Sequence, residues 1–319
     1  MHSQKLLIGS HAPYWHNGNS VTSKSYNIML AALPAVGMGI YQYGIPALAV
    51  ITFSISCAML WELIMNIAMK RPISIGDGDA AAIGLILAML LPATTPWWIV
   101  LTGTFLAIVI GKQIFGGLGG NPFNPILVAF AILMLSWKNY LDFDTALLNY
   151  DLGFKMLYPL GALKHFGTDA IGDFTSQGLL MGQQFGGIGA FCGLGLIIGG
   201  LYLILRGYIR WEIAFSFLIG IFVTALLYNI SNPDKYAAPM FHLLTGYTLI
   251  GAFFLATEDS SSPVNLVPML LYGAGAGIFT VLIRNIGAFV DGVVLAVLIF
   301  NVANPLLDKI RPKALGKGI

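Results

Sequence analysis

DGDAAAIGLILAMLLP (residues 77–92), followed at once by PWWIVLTGTFLAIVIG (96–111), decides how this chain folds. Both runs are strongly apolar, yet each is short of the roughly 20 residues that a helix needs to cross a hydrocarbon core of about 30 Å. Asp, Gly and Pro punctuate their ends. A helix that stops at membrane depth leaves backbone N–H and C=O groups that lipid cannot satisfy, so such pieces are tolerated only against protein or a polar cavity. The pair is therefore predicted to form broken or re-entrant helices that face protein rather than lipid.

Outward from this pair, apolar runs at 26–44, 45–68 and 122–137 complete a first group of five with 80–92 and 96–111. After a polar stretch a second group follows at 188–206, 213–230, 240–257, 266–284 and 289–307. The 319 residues are 57% hydrophobic and 9% charged, with a mean hydropathy of +0.81. A soluble domain carries about 25% charge, so a soluble globular fold is excluded. The expected fold class is an all-α membrane protein of about ten transmembrane helices. A net charge of +2 without a basic cluster gives no sign of nucleic-acid binding. Cys57 and Cys192 each sit in an apolar run, too few for a disulfide framework or a four-cysteine cluster and most simply core residues. The first 25 residues lack the continuous apolar core of a cleavable signal.

Ten spans would place Lys5, Lys24, Lys70, Arg71, Lys112, Arg206, Arg210, Lys309, Arg311, Lys313 and Lys317 on the side of the N-terminus. Lys138, Lys155, Lys164, Lys235 and Arg284 fall on the other side. The positive-inside rule then makes both termini cytoplasmic, in an inner (cytoplasmic) membrane. The resulting organisation is a cytoplasmic segment 1–25, a five-helix repeat 26–137, an outer loop 138–187, a second five-helix repeat 188–307 and a basic cytoplasmic tail 308–319. NPFNPILVAFAILML (121–135) resembles VDGVVLAVLIFNVANP (290–305), and the TTPWW turn (94–98) has a counterpart in SSSPVN (260–265). Five spans per unit force the two halves into opposite orientation, which predicts an inverted repeat with a site at its interface. GxxxG pairs at Gly189/Gly193, Gly195/Gly199 and Gly273/Gly277 predict close helix approaches.

Ionisable groups at membrane depth are costly and tend to serve pathways or pairs. Glu62 lies in the second span, Asp77 and Asp79 open the third, Glu258 and Asp259 follow the eighth, and Asp291 begins the tenth. Glu62, Asp77 and Asp79 are the candidates for an ion path, although acids at helix starts also suit the dipole. Of five scattered histidines only His242 stands at a span, as a helix-end residue. No nucleotide, zinc or paired-CxxC motif occurs.

The outer loop carries GTDAIGDFTSQGLLMGQQFGG (167–187). With it, ISIGDGDAAAIGLILAMLLP (73–92), IGKQIFGGLGGNPFNPILV (110–128), FFLATEDSSSPVN (253–265), IRNIGAFVDGVVLAVLIFN (283–301) and NPLLDKIRP (304–312) resemble, in order and over nearly the whole chain, the RnfD family. That family is the flavoprotein membrane subunit of the Rnf complex, more distantly similar to the B subunit of the sodium-pumping NADH:quinone reductase. The resemblance implies FMN joined through its phosphate to a Thr within a pattern D-x-x-(S/T)-x-A-T, attached by an exported flavin transferase. Placing Asp169 on the acid puts Thr175 on the acceptor, with Ser176 as a one-residue alternative. Here Gly172, Asp173 and Phe174 depart from the pattern.

The same resemblance implies a noncovalent riboflavin inside the bundle, with Asn121 and Asn124 offering amides to the edge of its ring and Asp259 closing the site. It also implies partners: a membrane-anchored outer FMN subunit, intramembrane iron–sulfur subunits and a cytoplasmic NAD-reducing subunit. The implied activity is electron transport between ferredoxin and NAD, coupled to Na⁺ or H⁺ export by the whole translocase and not catalysed by this subunit alone. Read without the resemblance, inverted repeats with broken helices also suit a flavin-free solute channel or transporter.

Overall fold

The structure is a computed structural model that describes residues 20–143 and 157–310. The first 19 residues, residues 144–156 of the expected outer loop and the tail 311–319 lie outside the described residues, and with them both expected cytoplasmic termini. All described regular structure is helical.

Ser20 starts α1 (Val21–Tyr43) by accepting the Ser23 N–H on its side chain at 3.0 Å. Gly44, at φ 69°, turns the chain directly into α2 (Ile45–Ala68). After a 3₁₀ turn (Ile75–Asp77) come α3 (Asp79–Leu90) and α4 (Trp97–Phe105), which runs on as a π-helix over Leu106–Gln113. Every residue of α3 from Ala80 to Leu90 is buried, as expected of a broken helix set against protein. α5 (Pro125–Ser136) completes the first group, and the short α6 (Lys138–Leu141) begins the stretch expected as the outer loop.

The same stretch holds α7 (Pro159–Phe166), a 3₁₀ turn (Thr168–Ile171) and α8 (Ser176–Met181), and the second group then opens with α9 (Gly193–Leu205) and α10 (Trp211–Ser231). The run expected as one helix over 240–257 is instead broken. α11 (Pro239–Leu244) stops, Gly246 takes φ 65°, and α12 (Thr248–Ile250) restarts and passes into a π-helix over Gly251–Leu255. The break has a physical cause outside the segment. Arg284 donates to the freed carbonyls of His242 (2.8 Å) and Thr245 (3.3 Å), and the Asp291 carboxylate accepts the Tyr247 N–H at 2.7 Å. α13 (Leu266–Asn285) and α14 (Val293–Leu307) close the bundle.

Three of these helices, α2, α10 and α13, are long and apolar enough to cross a membrane, and α3, α4 with its π extension, α5, α9 and α14 are shorter apolar helices. The chain is thus a multi-pass membrane bundle. Its tightest seams are where glycine replaces a side chain. A Cβ on Gly199 of α9 would fall 2.0 Å from the Ala31 carbonyl oxygen of α1, and one on Gly277 of α13 would fall 2.3 Å from that of Phe217 in α10. The expected approaches at Gly195/Gly199 and Gly273/Gly277 therefore exist and bring backbones together, whereas Gly189 lies in a turn against the Met89 side chain and Gly193 has the Leu249 side chain as its nearest neighbour, so that pair is not a helix seam. Both cysteines are buried, as expected of core residues.

Candidate functional site

A cavity of about 230 Å³ opens at the end of the bundle where α1 begins. Both π-helical stretches border it: Lys112 comes from the first, Phe253 and Phe254 from the second. An i→i+5 turn inserts one residue into a helix and re-aims the side chains beyond it, which is why such turns recur at sites. Ile83 and Ile86 of α3 and Leu203 of α9 supply apolar wall, and the mouth is polar.

Asn124 ends the GGNPFN turn. Its side-chain Oδ1 accepts the Ile126 N–H (2.9 Å) and the Leu127 N–H (3.3 Å), so it caps α5, while its Nδ2 donates to the Leu255 carbonyl at 2.9 Å. One side chain thereby ties the start of α5 to the end of the second π-helix. Asn121 donates to the Phe123 carbonyl at 3.0 Å and to Glu258 Oε1 at 3.2 Å. Glu258 Oε2 accepts the Ser261 N–H at 2.9 Å. Burial pushes the Glu258 carboxyl up from its ordinary range, with the bonds from Ser261 and Asn121 opposing that shift. Asp259, the acid expected beside the two asparagines, also borders the cavity, but its carboxylate is exposed and pairs with Lys24. The acid that meets Asn121 is its neighbour Glu258.

A charge cluster runs inward from the cavity wall, through the lining residues Lys112 and Asp79 to Glu62. Lys112 Nζ sits 2.7 Å from Glu62 Oε1 and 2.7 Å from Asp79 Oδ2, and its side chain is 2% exposed. Glu62 is 1% exposed and Asp79 24%. Ser74 Oγ (3.1 Å) and Gln113 Nε2 (3.4 Å) donate to the same Glu62 oxygen, while Glu62 Oε2 is buried without a partner. Two of the three ion-path candidates, Glu62 and Asp79, thus meet on one ammonium. The third, Asp77, accepts the Asp79 N–H at 2.9 Å and serves the start of α3. Lys112 was legible only as one of the charges that orient the chain.

A second cluster lies between α11, α12, α13 and α14. Arg284 Nη2 is 3.0 Å from Asp291 Oδ1 and 2.8 Å from Thr248 Oγ1, and Asp291 Oδ1 accepts the Val293 N–H at 3.1 Å. His242 is buried beside it, with neither ring nitrogen partnered. Thr175 and Asp169 are away from both clusters, in the loop before α9. Thr175 is exposed, and its Oγ1 accepts the Gly178 N–H at 3.1 Å, capping α8. Asp169 is exposed in the 3₁₀ turn just before it.

A family profile described as the NQR2, RnfD, RnfE family matches residues 8–316. The D subunit of the Na(+)-translocating ferredoxin:NAD(+) oxidoreductase complex of Acetobacterium woodii is 35% identical over 309 residues, covering 97% of this chain and 94% of the relative. The D subunit of the proton-translocating ferredoxin:NAD(+) oxidoreductase complex of Clostridium ljungdahlii is 34% identical over 313 residues, 96% of this chain and 95% of that one. Its counterpart in the ion-translocating oxidoreductase complex of Cronobacter sakazakii is 33% identical over 345 residues, covering 96% and 97%. The chain belongs to the NQR2, RnfD, RnfE family.

Proposed function

We propose that this chain is the D-type membrane subunit of an Rnf complex of the inner membrane, and that it conducts electrons between an outer FMN-bearing partner and a cytoplasmic NAD-reducing subunit. Iron–sulfur subunits complete the route, and the whole complex couples it to export of a cation. The observation that carries the reading is the cavity wall, where Asn121, Asn124 and Glu258, drawn from both halves of the chain, line an apolar slot between π-helices and are bonded across it, Asn121 to Glu258 and Asn124 to the Leu255 carbonyl. A flavin ring has apolar faces and a donor/acceptor edge, so this donor set fits it.

Charge supports riboflavin over FMN inside the bundle. The cavity is bordered by two cations, Lys24 and Lys112, and three acids, Asp79, Glu258 and Asp259. A phosphate would bring about two further negative charges to that slot, whereas riboflavin brings none. At the exposed Thr175, by contrast, a phosphoester needs no pocket, because the tether replaces affinity with local concentration; FMN there fits an exposed hydroxyl in the loop 138–187. A flavin accepts one or two electrons, so it links single-electron carriers to hydride chemistry, with the protein supplying position and field. In this reading Asn121 and Asn124 orient the inner ring, Glu258 holds a proton beside it, and Lys112 sets a fixed positive charge against its edge. Glu62 and Asp79 belong to the ion path.

The five-plus-five inverted arrangement is supported by a parallel between the halves. Lys112, within the π stretch that continues α4, bonds Asp79 at the start of α3, and Arg284 of α13 bonds Thr248 at the start of α12. Asn124 Oδ1 accepts the Ile126 N–H at the start of α5, and Asp291 Oδ1 accepts the Val293 N–H at the start of α14. Both termini are cytoplasmic in this arrangement.

The test is to purify the full chain after co-expression with its flavin transferase. Acid extraction is expected to release riboflavin, and the denatured chain is expected to fluoresce under ultraviolet light. Asn121→Leu should lose the extractable flavin and keep the covalent one. A chain that holds neither flavin overturns the redox reading and leaves a solute carrier in its place.

A further inference from the structure

At the end of the bundle opposite the inner cavity, the chain has few cations but gathers them. Lys138, Lys164, Lys235 and Arg284 are the described Lys and Arg residues expected on that side, and three of them, Lys164, Lys235 and Arg284, border one cavity of about 220 Å³. They come from three elements: α7, the turn after α10, and the last turn of α13. Among the described residues no carboxylate borders this cavity; Asp291 lies behind it, paired with Arg284 at 3.0 Å. Lys138 borders the adjoining aromatic cavity, which shares Val290, and it joins burial in lowering the pKa of Lys164.

Two of the three charges are fixed in place. Lys164 donates to the carbonyls of Arg284 (3.5 Å) and Gly287 (2.6 Å) and to that of Phe289, holding its ammonium at the C-terminal end of α13. Arg284 is locked by its bonds to α11, Thr248 and Asp291. Lys235 lies over the Tyr236 ring at 5.3 Å and is exposed. Asn285, also on the cavity, has a buried Nδ2 with no acceptor. A buried donor without an acceptor is costly and like charges held together repel, so an anion that also accepts hydrogen bonds would complete the pocket.

We propose that this pocket binds a phosphate ester, with Asn285 Nδ2 and Lys235 Nζ donating to its oxygens and with Lys164 and Arg284 supplying fixed charge. A doubly charged tetrahedral oxyanion matches several converging cations better than a single carboxylate does. The position, at the C-terminal end of the membrane-crossing α13, admits two carriers of the same chemistry: the headgroup of an anionic phospholipid, or a soluble phosphate. The pocket is separate from Thr175 and from the inner cavity, so it stands apart from the flavin reading.

The experiment places the full chain in phosphatidylcholine nanodiscs and follows thermal unfolding while either phosphatidylglycerol is mixed into the disc or inorganic phosphate is added to the buffer. A saturable stabilisation by phosphatidylglycerol alone assigns a lipid headgroup, and one by inorganic phosphate assigns a soluble source. Lys235→Gln is expected to weaken the apparent affinity about tenfold, since a hydrogen bond to a charged group is worth about 1.5–3 kcal/mol. Lys235→Arg should retain most of it. Asn285→Ala should weaken it with every charge intact, which diffuse electrostatics would not do. Absence of saturation with both probes, or an equal loss in Lys70→Gln at a remote exposed lysine, overturns the proposal.

Discussion

Replacing Lys112 with methionine keeps an unbranched side chain of similar length and removes the ammonium that Glu62 and Asp79 share. Removing one partner of a buried ion pair costs about 3–5 kcal/mol, because an uncompensated charge is left in a dry site. The two acids do not share that cost equally. Glu62 is 1% exposed and Asp79 24%, so water screens the stranded Asp79 and not the stranded Glu62. Ser74 and Gln113 remain on Glu62 Oε1, but Oε2 still has no partner. Lys112→Met is therefore expected to destabilise by about 3–5 kcal/mol. Adding Glu62→Gln should restore the greater part, and adding Asp79→Asn should restore less than about 1 kcal/mol, the range of an exposed pair. The protein carries its own reporter, since Cys57 and Cys192 are both buried and react with a fluorogenic maleimide only on unfolding. Flavin-free chain in mild detergent removes any effect of a bound cofactor. If Asp79→Asn rescues as well as Glu62→Gln, or if Lys112→Met melts with the parent, the charge cluster is not arranged as described.

The same assay tests the helix seams. Gly277→Ala sets a Cβ 2.3 Å from the Phe217 carbonyl oxygen and should cost roughly 1–3 kcal/mol, as overpacking does, whereas Gly37→Ala in α1, with nothing within 4 Å, should be neutral or slightly stabilising. Thr175→Val should abolish the ultraviolet-fluorescent band of the denatured chain while Ser176→Ala leaves it; a band that persists in Thr175→Val moves the attachment elsewhere. For Glu258, burial favours the neutral carboxyl in the folded state. Its folded pKa is raised, so the fold binds that proton more tightly than the unfolded chain does. Stability should then rise as pH falls through the raised value toward the ordinary carboxylate range, and melting curves of Glu258→Gln should lack that rise.

What the sequence could disclose was whatever residues do to their near neighbours. Asp, Gly and Pro around 77–92 mark a short helix because each acts within a turn of itself, and α3 is that helix. Asn124 before Pro125 is legible as a cap for the same reason. The features that build the site are different in kind. Lys112 closes an apolar run and looks like any span-end charge, because its partner Glu62 is fifty residues away on another helix. The break at Gly246 hides in an apolar stretch and is held open by Arg284 and Asp291, which arrive from later helices. Glu258 and Asp259 are equivalent in sequence, and only the rotation of the chain leaving a π turn sends one to Asn121 and the other to Lys24. A π turn has no composition of its own and persists where packing across helices outweighs the local preference for i→i+4 bonding. Both π stretches border the inner cavity, so local rules fail here where two parts of the chain impose one geometry on each other, the pattern expected of a binding site.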